Sequence, residues 1–362
     1  MALRSRIVLV SSYPRGTGIY RFGENLFNFG YYENFLYLKS INVKDKDDHS
    51  QIYEIVKPHF PILKVYYPFS FVFKSSWSRK IMQYEYVHMI SPDFFHLSRF
   101  KNNIIGTIHD LYAIDDETKM NYSAQYRFFQ KIDFHYCYSL LGIITISRST
   151  DMLFKKFFPN VKTKVIHHWT PNNFITLDKK LCRKELSLPS KKFILLNVSY
   201  KSFNKNLNFL SELIDSLSDD FLLIHLGDTE IECDHPRRTL NITSHLDDMT
   251  LVKLYNAADI YLAPSISEGF NRPVIEAINC GIPVLASDID IFREVLMHSP
   301  YLLPLNVSVW KEIIISLTDS KEFREAVEWY DSNIGDYYRE ERGKADYEEF
   351  YRSLGVNVRD QF

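Results

Sequence analysis

Ser267-Glu268-Gly269-Phe270-Asn271-Arg272-Pro273-Val274-Ile275-Glu276-Ala277 lies between two short apolar runs. The first run, Ile260-Tyr261-Leu262-Ala263, has the composition of a buried strand, and Pro264-Ser265 ends it. Pro273 falls where the first turn of a helix tolerates a missing N–H, so the spacing predicts a helix that continues through residues 274–278. Gly281 stops that helix, and Pro283-Val284-Leu285-Ala286 supplies the next strand. Glu268 therefore sits on a strand-to-helix loop at the carboxyl edge of a parallel sheet, the rim where open α/β sheets bind ligands. Glu276 falls about one turn into the helix, whose positive end is approached by the backbone N–H groups of Gly269, Phe270 and Asn271.

From about Asn241 to Val295 the chain resembles the donor-binding half of the retaining glycosyltransferases of the GT-B fold. This is the glycosyltransferase group 1 family, which includes glycogen synthases and many mannosyl- and glucosyltransferases. Its signature is an acidic residue, Gly-Phe-Gly or Gly-Phe-Asn, a Pro, and then Glu-Ala eight positions after the first Glu. Here it reads Glu268-Gly269-Phe270-Asn271, Pro273 and Glu276-Ala277, followed by Cys280-Gly281-Ile282-Pro283-Val284. Two carboxylates alone would suit an ordinary strand–loop–helix. The ordered agreement of several spaced residues favours the motif.

A chain of 362 residues, 46% of them hydrophobic, suits two α/β cores better than one. The net charge of -2 gives no basic field for nucleic acid. Cys137, Cys182, Cys233 and Cys280 are scattered without paired spacing, against a disulfide scaffold or zinc site and in favour of a reducing compartment. The run Ile7-Val8-Leu9-Val10 is too short for a signal peptide, and no 18 consecutive residues are apolar. Glycosylation sequons begin at Asn121, Asn197, Asn241 and Asn306 and read as chance matches in a protein without a secretory signal. The expected location is cytoplasmic, or peripheral on the inner membrane face.

Strand-like runs alternate with helical ones. Residues 7–11, 86–90, 104–108 and 143–147 are expected strands of a first domain, and 193–198, 221–226, 260–263 and 284–287 of a second. This alternation is the pattern of doubly wound parallel sheets. The turn-rich stretch 167–173 reads as the connection between them. With the resemblance, the expected architecture is α/β of GT-B type, two Rossmann-like domains facing a central cleft. Residues 1–172 form the acceptor-side domain and 173–335 the nucleotide-sugar donor domain. Residues 336–362 form a helix returning to the first domain.

Several further stretches carry the resemblance. After the strand at 193–198, Lys205-Asn206 matches the family's basic pair, and a Lys at a helix mouth suits a diphosphate and the charge that grows as the nucleotide leaves. The chain departs from the family at Ser199, where relatives have glycine, and at Asn204, where Arg is common; Lys201 is the candidate second cation. Residues 224–227 resemble the family's apolar strand ending in glycine, and His245 lies in the loop that contacts the base in relatives. Gly16 and Gly18 let the backbone approach a ligand at a helix N-terminus and fit the family's first-domain glycine loop. A dinucleotide fingerprint would need a third glycine where Arg21 stands. His109, followed by Asp110 at the end of a strand, matches a family His that points at the transferred sugar. Ser147 reads as a helix N-cap.

The resemblance implies a hexosyltransferase that retains anomeric configuration without a catalytic metal or cofactor, the nucleotide-diphosphate sugar being its substrate. Glu276 is then the ribose ligand, while Glu268 and the amides of residues 269–271 grip the sugar. The acceptor is an unidentified sugar, lipid-linked molecule or protein, and no nucleic acid is expected. Two alternatives stand. One is a catalytically silent sugar-nucleotide-binding protein of this fold. The other is a metal-dependent glycosyltransferase of the other major fold, using Asp288-Ile289-Asp290. Finally, no acidic residue stands between Glu54 and Glu85, where Lys57, Lys64, Lys74, Arg79 and Lys80 interleave with aromatics. That mixture suits a surface on anionic lipid, or a solvated rim around core aromatics.

Overall fold

The computed structural model describes residues 5–13, 17–40, 52–57, 81–115, 124–244 and 246–358. The chain divides into two compact units, the first made of residues 1–167 and 344–362, the second of residues 168–343. Gly16, His245 and most of the basic–aromatic segment between Glu54 and Glu85 lie outside the described residues.

The first unit is built on a seven-stranded sheet of β1 (Ile7–Ser11), β2 (Asn34–Ser40), β3 (Ile52–Lys57), β4 (Tyr86–Met89), β5 (Ile104–Ile108), β6 (Gly142–Thr145) and β7 (Thr163–Val165). The order is β3-β2-β1-β4-β5-β6-β7, and every pairing is parallel. β1 and β5 are buried along their whole length, as expected where helices cover both faces and strands can be apolar throughout. Gly106 in β5 is required by packing, because a Cβ there would stand 2.5 Å from the Phe95 ring. The helix Glu340–Ser353 contributes Tyr347 and Tyr351, both fully buried. The Tyr351 hydroxyl lies 2.7 Å from His88 Nδ1, and His88 Nε2 lies 2.8 Å from Thr107 Oγ1. Burial drives the His88 pKa down to about 3, so this ring is a neutral core hydrogen-bonding group.

The second unit carries a six-stranded sheet of β8 (Phe193–Val198), β9 (Phe221–Leu226), β10 (Thr239–Ile242), β11 (Ile260–Ala263), β12 (Val284–Ser287) and β13 (Leu302–Leu303). Its order is β10-β9-β8-β11-β12-β13, again all parallel. Trp310, from the helix Val307–Ser316, is fully buried edge-on to Phe209, with its indole N–H donated to the Pro304 carbonyl at 2.9 Å. Asp259 gathers Arg183 at 2.6 Å, Lys179 at 2.8 Å and the Ile194 amide at 2.6 Å, fastening the helix Lys179–Glu185 to the sheet.

The architecture is the doubly wound α/β fold read from the sequence. Five strands, β2, β3, β7, β10 and β13, were not expected, for physical reasons. β7 and β10 are edge strands, largely half-exposed, and their mixed polarity hides the strand pattern. β13 has two residues, and Asn34 and Lys39 interrupt β2. β6 ends at Thr145, before the expected residue 147, because Ser147 leaves the sheet to accept the Thr150 amide and cap the helix Arg148–Phe157. All four cysteines are free. Among the described residues no helix is long and apolar enough to cross a membrane.

Candidate functional site

Strand order locates the second unit's ligand-binding crevice. From β8 the chain winds outward through β9 and β10, and on the other side through β11, β12 and β13, so the direction reverses between β8 and β11. Doubly wound sheets bind ligands beyond the carboxyl ends of the strands at such a reversal. The loops that follow β8 and β11 carry Lys205 and Glu268.

The two side chains meet there. Lys205 Nζ lies 2.6 Å from Glu268 Oε1. The same oxygen accepts Ser265 Oγ at 2.7 Å and Asn271 Nδ2 at 3.0 Å. Glu268's side chain is 6% exposed and that of Lys205 21%. A nearly buried carboxylate is thus held in one position by three donors, one of them cationic and within reach of solvent. Asn271 can donate because it adopts a left-handed conformation, φ +69°, just ahead of the helix Arg272–Asn279.

Asn204 sets the loop that carries Glu268. It is buried, donates its side-chain amide to the Ser267 carbonyl at 2.9 Å, and accepts the Ile266 amide on its own carbonyl at 2.8 Å. Asn206 adds a bond from its side chain to the Pro264 carbonyl at 3.2 Å. The departure from the family's Arg at position 204 is therefore a buried clamp between two loops. Ser199, the other departure, donates its hydroxyl to Asn197 Oδ1 at 2.8 Å. Asn197 in turn donates to the Leu262 carbonyl, tying β8 to β11.

Glu276 is nearly buried and belongs to a separate cluster. Its carboxylate accepts the Tyr255 hydroxyl at 2.9 Å and faces Arg272 Nη2 at 3.4 Å. Burial, and next the Glu276 charge, hold the Tyr255 phenol well above its ordinary pKa, so it stays a donor. Tyr261 of β11 connects the two carboxylates electrostatically. Burial raises its phenol pKa, and Glu268 and Glu276 both add to the rise, while its hydroxyl donates to the Val198 carbonyl at 3.2 Å. Composition around residue 261 signals only a core strand, which is why Tyr261 escaped a sequence reading.

Other expected site residues fall elsewhere. The Phe270 side chain is core, edge-on to His168 at 5.0 Å and to Tyr338 at 5.6 Å, so only its backbone and that of Gly269 remain candidates for a ligand. Lys201 is exposed and its backbone amide is held by the Asp228 carboxylate, apart from the Lys205–Glu268 cluster. Asp288 forms a two-point pair with Arg293 at 2.7 and 3.0 Å, and Asp290 meets Arg293 at 3.1 Å. Among the described residues no group of three or more His, Cys, Asp or Glu is placed to hold a metal ion.

In the first unit the winding reverses between β1 and β4. Ser12, after β1, and Ser91, after β4, have hydroxyls 3.2 Å apart, and both donate to Asp93. Gln130 donates to the other oxygen of Asp93 at 2.6 Å. His109 follows β5, buried and edge-on to Phe22 at 4.9 Å, and with Asp110, Tyr13, Tyr126 and Gln130 lines a small pocket beside that cluster. Gly18 opens the helix Gly18–Phe27, where Thr17 accepts the Tyr20 amide as N-cap.

Residues 178–331 match the family model of glycosyl transferases group 1. WbdA of Escherichia coli, named a serotype-specific mannosyltransferase, is 34% identical over 91 residues, which is 25% of this chain and 11% of that protein. The chain spans less than a third of the length of curated relatives of this kind. Sucrose-phosphate synthase of Thermosynechococcus elongatus superposes with a TM-score of 0.76 at 18% identity, covering 97% of this chain and 99% of that one. Anabaena HepE, solved with UDP and glucose, gives 0.74 at 14% identity over 97% and 100%. The chain has the GT-B fold, not the other major glycosyltransferase fold, and its second unit belongs to glycosyl transferases group 1.

Proposed function

We propose that the chain transfers a hexosyl group from a nucleotide-diphosphate sugar to an acceptor hydroxyl, retaining anomeric configuration without a catalytic metal or cofactor. The observation that carries this reading is the Lys205–Glu268 pair, fixed by Ser265 and Asn271 at the reversal point of the second sheet. Lys205 is the half-buried cation that meets the diphosphate and neutralises the charge that builds on it as it leaves. Glu268, already a fixed acceptor, takes hydrogen bonds from the sugar hydroxyls. Glu276 takes the ribose, with Tyr255 holding one of its oxygens in place. In the first unit, Gly18 leaves room for close approach of a ligand to the backbone, and His109 is the candidate side chain for hydrogen bonding to a sugar hydroxyl. In the reaction the bond between the anomeric carbon and the phosphate oxygen breaks, its electron pair going to the diphosphate. The acceptor oxygen bonds to the same face of that carbon, and its proton passes to the departing phosphate oxygen.

A donor of this class is supported by the solved HepE complex with UDP-glucose and by the mannosyltransferase name of WbdA. The four free cysteines support a reducing, cytoplasmic setting. Turnover of a panel of nucleotide-diphosphate hexoses, followed with the product anomer assigned by NMR, tests the reading. An inverted product would overturn retention. The departures at Ser199 and Asn204 favour a second reading, a binding protein without turnover. Tight donor binding with neither transfer nor hydrolysis would select it.

A further inference from the structure

β5, β6 and β7 follow one another in a single direction across the first sheet, so the right-handed connections between them place the helices Ala124–His135 and Arg148–Phe157 on the same face. That face is unusual in charge. Between residues 124 and 164 the only acidic residues are Asp133 and Asp151. Both are buried, Asp133 against His96 at 2.5 Å and Asp151 against Lys155 at 2.6 Å. Lys131, Arg148, Lys155, Lys156 and Lys162 are exposed.

The same face leaves large apolar side chains in water. Phe128 is 61% exposed, Tyr138 53%, Met152 62% and Phe157 41%. Tyr138 and Phe157 are linked through the half-buried Phe158. Phe158 lies 6.4 Å from Phe157 and 6.0 Å from Tyr138, ring to ring, and Tyr138 lies 6.2 Å from His135. On the first helix, Phe128, Lys131 and His135 recur at spacings of three and four and form one exposed stripe. Exposed apolar side chains interspersed with lysines are costly in water and gain by entering a lipid interface. There the rings reach the acyl boundary and the lysines stay with the phosphates.

We propose that this face docks the protein on a membrane of anionic phospholipid. The favoured occupant is lipid because the cations alternate with large apolar groups over two adjacent helices, and both parts are satisfied by one surface. The inference stands on the first unit alone and does not depend on what the second unit transfers. Its basis is also separate from the basic–aromatic segment between Glu54 and Glu85.

The test is co-sedimentation of the full chain with vesicles of phosphatidylglycerol and phosphatidylcholine, against vesicles of phosphatidylcholine alone. Binding is expected only to the anionic vesicles and should be lost at high salt. Lys155→Ala with Lys156→Ala should weaken it on the order of tenfold or more. Phe128→Ser with Met152→Ser should weaken it at low salt, with unchanged thermal unfolding showing that the fold is intact. Equal binding to both vesicle types would overturn the proposal, as would binding indifferent to all four substitutions. Absence of vesicle binding alongside salt-sensitive capture by polyglutamate would overturn it in favour of an acidic protein partner.

Discussion

Lys205 Nζ and Glu268 Oε1 stand 2.6 Å apart although 63 positions separate them in sequence. The pair joins the two loops that flank the winding reversal of the second sheet, and any anion entering there competes with Glu268 for the same cation. Ser265 and Asn271 donate to the same oxygen, so Glu268 would keep two donors without Lys205. Removing either partner alone therefore has two consequences, one for stability and one for binding.

Lys205→Met should lower unfolding free energy by up to about 3 kcal/mol, because it strips the cation from a nearly buried carboxylate. Adding Glu268→Gln should restore most of that loss, since the neutral amide no longer needs a counter-charge. Denaturant titration of the two single variants and the double variant gives the cycle. Additive losses would show that the pair is not coupled.

Asn204→Ala should cost about 1–3 kcal/mol, the penalty for leaving the buried Ser267 carbonyl without its donor. Donor affinity should fall as well, because the loop bearing Glu268 loses its fixed position. Calorimetric titration checks this, and an affinity equal to the parent's would rule out the positioning role.

His109→Ala and Glu268→Ala should each lower kcat more than donor affinity, as expected of side chains whose contacts strengthen in the transition state. Rate measurements at saturating donor decide it. Wild-type turnover in either variant removes that residue from the mechanism.

The second unit should lose stability on acidification through His225. Its ring is fully buried in β9, with Nδ1 donating to Asn197 Oδ1 at 3.0 Å, and burial lowers its pKa from 6.5 to about 4. Between those values the unfolded chain binds a proton that the folded chain does not. Stability should therefore fall as pH drops from 6.5 to 4, by at most about 1.4 kcal/mol per pH unit. The first unit differs. His88, lowered to about 3, acts in the same direction, but Asp133 is raised by burial to about 6 and takes up a proton in the folded state. The two effects oppose each other between pH 6 and 4, so the first unit should show a flatter dependence there. Hydrogen exchange across this range separates the units, and His225→Gln should abolish most of the second unit's slope.

How much of this was legible in sequence follows from the range over which each signal acts. The strands β8, β9, β11 and β12 were read to the residue because each is a short apolar run with turn chemistry at its ends. Glu268, Glu276 and Lys205 were visible because they sit at fixed offsets within single strand–loop–helix units. That Lys205 and Glu268 are partners was not visible, nor was the clamp from Asn204, since both arise between loops more than 60 positions apart. The side chain of Phe270 went to the core because His168 and Tyr338, also distant in sequence, close over it. The edge strands were missed because half-exposed residues carry no clear period.

The central claim is that the second unit holds a nucleotide-diphosphate sugar through Lys205 and Glu276. Thermal unfolding of the parent, Lys205→Ala and Glu276→Gln chains in the presence of UDP-, GDP- and ADP-hexoses tests it most directly. At a concentration one hundred times its dissociation constant, the right donor should stabilise the parent by about 2.7 kcal/mol and both variants much less. A parent indifferent to every nucleotide sugar, or variants stabilised as strongly as the parent, would contradict the account.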